Sequence, residues 1–249
     1  MTDHAFTEFE QFILKSDNKL GTSIVLILAW IAASDGSVDK AEAKQLSEIS
    51  AASKHGLPVQ PFIRLAEKHD TTALHLACDI VASHFKGEKA HLFMEMAIGI
   101  SIADGLLLPT ENHILRFLAD LLAVSKAGLN EIFINVTGRK IPPPSDVSSA
   151  KYWRERDRAR EQSSQQSNES GRANNHQERP RHSSKAIAAF ATLGLEPGAS
   201  QDEIKKSYRR LAQVHHPDRF TSLGEESVAA ASQTFVRIRD AYDYLVKYA

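Results

Sequence analysis

The chain has 249 residues, a formal net charge of −1 and 42% apolar residues. Its length allows two domains of ordinary size, and the near-neutral charge speaks against a protein that lives on nucleic acid. A single cysteine, Cys78, excludes an intrachain disulfide framework and makes a cysteine-based zinc site implausible.

Residues 1–10 are polar and acidic, with no basic stretch leading into an apolar one, so no secretory signal is expected. The most apolar run, Ile24–Ala33, is about half of the roughly 20 residues that cross a bilayer. It reads as a buried helix. No membrane span is expected, and the cytoplasm is the default location. Residues 1–138 are dense in apolar positions at helical spacing. Residues 139–183 are polar and irregular, opening with Pro142, Pro143 and Pro144, and cannot bury enough surface to offset the entropy of ordering them. Residues 184–249 return to helical patterning. No long segment alternates with period two, and the short β-prone run Ile132–Val136 reads equally well as a helix end before Gly138. The expected fold is all-α: a helical domain over 1–138, a flexible linker over 139–183 and a second helical domain over 184–249.

The first domain contains a repeat. At a constant offset of 69 residues, Asp35-Gly36 aligns with Asp104-Gly105, Val38 with Leu107, Glu42 with Glu111 and Leu46 with Leu115. Each copy reads as an apolar helix, a turn at glycine and a new helix. Asp39 is placed to cap the second helix of the first copy, with Glu42 completing a capping box, and Pro109 starts the equivalent helix of the second copy. The four acids Asp35, Glu42, Asp104 and Glu111 offer hard oxygen ligands to a divalent cation if the copies converge; otherwise they shape turns and complement helix N-termini. The histidines here (His55, His69, His75, His84, His91, His113) are scattered and read as solvated or incidental. An apolar helix followed by D-G-x-hydrophobic-x-x-x-E, given twice, resembles the TerB-like domain over roughly residues 10–137. That resemblance implies an all-helical bundle and suspected metal binding at the same four acids.

The last 66 residues carry the strongest signal. Ser200 with Glu203 is a capping box. Ile204, Tyr208, Leu211 and Val214 or His215 then mark one apolar helical face, while Lys205, Lys206, Arg209 and Arg210 lie on the others. Pro217 stops the helix, leaving His216, Pro217 and Asp218 at an exposed turn. Val228, Ala231, Phe235, Ile238, Ala241 and Leu245 mark a second helix, so the pair should form an antiparallel hairpin closed by Phe190, Leu193 and Leu195. No nucleophile–base pair or metal cluster is evident, so an enzyme is not expected. A basic face fits an acidic partner, and Asp218 can pair with a partner's arginine.

This segment closely resembles a J domain of the DnaJ family. The resemblance rests on Phe190-x-x-Leu193-Gly194, the I-K-K-x-Y-R-x-L-A pattern of Ile204–Ala212, the tripeptide His216-Pro217-Asp218 and the F-x-x-I-x-x-A-Y-x-x-L pattern of Phe235–Leu245. It implies a co-chaperone that docks on a DnaK-type heat-shock chaperone and stimulates its ATP hydrolysis. The tripeptide would be essential, and Lys205, Lys206, Arg209 and Arg210 would form the docking face. The usual leading tyrosine is Phe190. The absence of a Gly/Phe-rich region and of zinc-binding repeats after the hairpin implies delivery of specific clients, of unknown identity, rather than general holding. The domain order is similar to DjlA-type co-chaperones, which carry an N-terminal membrane span not expected here. A second reading makes residues 1–138 a metal- or stress-responsive interaction domain with the J domain as a docking tag. A nucleic-acid role is a third reading, disfavoured by the net charge.

Overall fold

A computed structural model describes residues 7–38, 40–52, 58–102, 107–146, 149–150, 154 and 184–248. Their regular structure is helical, as the patterning predicts, with no strand among the described residues. In chain order the N-terminal helices are α1 (Glu8–Lys15), α2 (Lys19–Ala32), α3 (Lys40–Ala51), α4 (Gln60–Glu67), α5 (Thr71–His84), α6 (Glu88–Ser101), α7 (Pro109–Leu121) and α8 (Lys126–Thr137).

The ends of these helices follow from local chemistry. Thr7 and Glu10 form a reciprocal capping box on α1, and Asn18, Asp70 and Ser125 cap α2, α5 and α8 through their side chains. Gly36 (φ 116°) takes the positive φ that ends the turn after α2, and Gly138 (φ 78°) does the same for α8. Pro109 opens α7, where Glu111 accepts a hydrogen bond from the Leu108 N–H at 2.8 Å. The predicted cap at Asp39 lies outside the described residues. Helix α2 is apolar nearly all round, so it forms the centre of the bundle and packs against α3, α4, α5 and α6. Cys78 is buried in α5, as its neighbours suggest.

The segment after α8 is not free where it is described. Asn112 and Arg116 of α7 donate to the Pro142 carbonyl at 3.1 and 2.7 Å, and the Ile141 N–H donates to Asn130 at 3.3 Å. The proline run therefore lies strapped along the bundle. Its carbonyls accept side-chain donors, which an extended chain without internal hydrogen bonds leaves available. Most of the linker predicted over 139–183 lies outside the described residues.

The C-terminal part contains α9 (Ser184–Thr192), α10 (Gln201–Val214), a 3-10 turn (Pro217–Leu223) and α11 (Glu225–Tyr248). The Ser200–Glu203 box forms in both directions, with Ser200 N–H donating to Glu203 at 2.8 Å and Glu203 N–H to Ser200 at 3.3 Å. Helices α10 and α11 make the predicted hairpin. Its own core consists of Ala189, Phe190, Leu193, Ile204, Leu211, Ile238, Ala241 and Leu245. Tyr208 and Tyr242 stack beside it with centroids 4.1 Å apart. Phe220, Leu223, Ala230 and Ala231 do not join that core. They are buried with the residues of the N-terminal bundle, because the 3-10 turn and the first half of α11 pack on α6, α3 and α2.

Candidate partner-docking site

The site is built on α10 and the turn that follows it. Lys205, Lys206 and Arg209 are exposed. His215, the C-cap of α10, is buried, and Pro217 opens the 3-10 turn, so the chain reverses with His216 and Asp218 on the outside. Their side chains are 50% and 87% exposed. His216 is nonetheless held in place: its ring meets Phe235 of α11 edge-on at 5.8 Å, and its Nδ1 accepts from the Asp218 N–H at 3.4 Å. An exposed carboxylate beside a braced imidazole at the end of a cationic helix suits recognition of a charged protein surface.

Arg210 is placed differently from the other three basic residues. Its guanidinium donates to the carbonyls of Asn135 and Val136 at 3.0 and 2.6 Å, in the last turn of α8. Those carbonyls lack intrahelical partners and carry the negative end of the helix dipole, so a cation there is favoured. Burial lowers the Arg210 pKa. The sequence pattern groups Arg210 with Lys205, Lys206 and Arg209; in the structure it is turned to the bundle.

Two further residues belong to this region and escape sequence reasoning. Arg219, directly after the tripeptide, pairs with Glu95 of α6 at 2.7 Å and donates to the Val214 carbonyl. His215 reads in sequence as one more position of the apolar face; it is 2% exposed and lies against Gly99 of α6. Burial, reinforced by Arg219, Arg210 and Arg237, pushes its pKa down to about 4, so it is neutral at pH 7. The basic residue after His-Pro-Asp is a readable signal for Arg219, whereas nothing in the sequence marks Glu95.

The proposed cation ligands are only partly brought together. Glu42 and Glu111 line one small cleft, with a volume of about 80 Å³. Arg237 and Gln233 of α11 line the same cleft. Asp104 and the Asp35 side chain lie outside the described residues, and among the described residues no three His, Cys, Asp or Glu side chains gather for a metal. Two of the four acids that the repeat singles out as cation ligands, Glu42 and Glu111, are thus described, and both line that cleft. Of the scattered histidines, His75 and His113 meet at one apolar surface pocket with Trp30 and Phe117. No described helix is long and apolar enough to cross a membrane.

Comparison with known proteins bears on the same regions. The DnaJ domain family matches residues 188–248, and the family of the tellurite resistance protein TerB matches residues 21–132. The chain is 43% identical over 59 residues to Adaptation to cold protein J of Shewanella oneidensis, covering 24% of this chain and 63% of that one. It is 43% identical over 61 residues to Co-chaperone protein DjlA of Coxiella burnetii, covering 24% and 23% of the two chains. To Co-chaperone protein DjlA of Pectobacterium atrosepticum it is 27% identical over 162 residues, or 62% of this chain and 53% of that one. The matched stretches thus span less than two thirds of each of these relatives. No solved structure matches the chain. A TerB domain followed by a DnaJ domain, presenting His-Pro-Asp at the tip of a helical hairpin, makes this chain similar to the DjlA co-chaperone proteins.

Proposed function

We propose that this protein docks on a DnaK-type chaperone through His216, Pro217, Asp218, Lys205, Lys206 and Arg209, stimulates ATP hydrolysis there, and uses residues 1–138 to select the client. The observation that carries this reading is the exposed, braced tripeptide at the end of a basic helix whose Ile204, Tyr208 and Leu211 pack into the hairpin. The bond chemistry in this reading belongs to the partner; this chain contributes a charged docking surface. Asp218 offers its carboxylate to an arginine of the partner, and the lysines and Arg209 speed encounter with an acidic face.

The docking face is tested by measuring affinity for the ATP-bound chaperone at two salt concentrations. Reversing two exposed charges, Lys206→Glu with Arg209→Glu, is expected to weaken binding by tenfold or more and to flatten its salt dependence. Unchanged affinity would remove α10 from the interface.

A further inference from the structure

The J domain does not hang free of the bundle, and its contacts with it are specific on both sides. Two helices of the bundle carry a glycine at the contact. A Cβ on Gly99 of α6 would overlap the His215 ring, whose atoms are its three nearest neighbours. A Cβ on Gly21 of α2 would overlap the carboxylate of Glu226, which accepts from Asn18 at 2.8 Å. At the repeat offset of 69, the position equivalent to Gly99 is Trp30, a large residue packed edge-on against Phe117 at 5.7 Å. One copy of the repeat thus fills this position with its own side chain, and the other leaves a notch that the J domain fills.

Around the notches, Arg210 binds the end of α8, Arg219 pairs with Glu95, Gln233 donates to Gln45 and Glu48 of α3, and Arg139 donates to the Gly194 carbonyl. Phe220 and Leu223 complete the contact inside the bundle core. Arg210 lies on the helix that carries the docking face, and Arg219 is covalently next to Asp218. Both are cations that an acidic partner would engage, and both are paired within the molecule, Arg219 with a side chain still 36% exposed.

We infer that the N-terminal bundle is an intramolecular clasp on the J domain, which withholds Arg210 and Arg219 from the chaperone until the bundle lets go. This rests on the co-chaperone reading for its consequence and on the contacts above for its existence. In the clasped form the tripeptide, Lys206 and Arg209 support a weak encounter. Release adds two guanidinium groups to the docking face and removes the bundle from its edge. Whatever binds the bundle at the surfaces of α2, α3 and α6 that face α11 would compete with the J domain, and so couple client capture to chaperone recruitment.

The test combines arginine footprinting with ATPase stimulation on the intact chain. Phenylglyoxal modification, read peptide by peptide by mass spectrometry, is expected to label Arg209 readily and Arg210 and Arg219 at least fivefold more slowly. Gly99→Val, which fills the His215 notch, is expected to bring Arg210 and Arg219 to the rate of Arg209 and to lower the concentration giving half-maximal stimulation severalfold. Glu95→Gln, which removes only the ion pair and no packing, is expected to do the same to a smaller extent and guards against a misfolded valine variant. Equal labelling of all three arginines in the unaltered chain would overturn the clasp. So would variants that release both arginines yet stimulate no better than an active parent chain. If no chain stimulates while the protection pattern holds, the co-chaperone reading fails and the clasp stands on the footprint.

Discussion

His215 shows how one side chain ties the hairpin to the bundle. Its folded pKa of about 4 lies below the ordinary value of 6.5, because burial removes water from a ring already surrounded by Arg219, Arg210 and Arg237. Between those two values the unfolded chain takes up a proton that the folded chain refuses. The stabilisation is therefore complete above about pH 6.5 and is lost as pH falls towards 4, by up to about 3 kcal/mol. Urea unfolding at pH 7.5 and 5.0 should show this loss, and His215→Asn should reduce it; equal pH dependence in both chains would contradict the assignment. Ser200 offers a second check at this scale. Ser200→Ala removes the acceptor for the Glu203 N–H at the start of α10 and should destabilise the J domain by about 1 kcal/mol, measured by denaturation.

At the scale of elements, α11 divides its length between two cores. Ile238, Ala241 and Leu245 close the hairpin, whereas Ala230 and Ala231 seal the bundle. Leu211→Ala, in the hairpin core, should cost about 2–5 kcal/mol and loosen the J domain as a unit, read as faster amide exchange through α10 and α11. The strap after α8 is a smaller element with its own test. Asn112→Ala removes the donor to the Pro142 and Pro143 carbonyls, and exchange in residues 139–141 should accelerate while α7 keeps its protection. The hairpin was legible because capping, i/i+4/i+7 spacing and the proline stop all specify it locally. The strap was not, because a proline run reads as extended chain whether or not a neighbouring helix supplies donors to its carbonyls.

At the scale of the molecule, sequence patterning yields two helical domains but not their union. Ala231 satisfies the hairpin's apolar pattern whichever core it enters, and Phe220, Leu223 and Ala230 fall outside that pattern, so periodicity alone does not assign them to the bundle. No local pattern marks Gly99 of α6 as the place where the His215 ring sits. Glu42 and Glu111 line one cleft with Arg237, which comes from 126 residues beyond Glu111 in the chain, a distance no local pattern spans. The exposed tripeptide, by contrast, was legible to the residue, since Pro217 forces the turn by covalent geometry.

The most direct measurement is single-turnover ATP hydrolysis by a cognate DnaK-type chaperone, with the intact chain and with His216→Gln. The account predicts that the unaltered chain accelerates hydrolysis and that the variant, whose fold depends little on a half-exposed side chain, leaves the chaperone at its basal rate. Equal acceleration by both chains, or none by either, would contradict it.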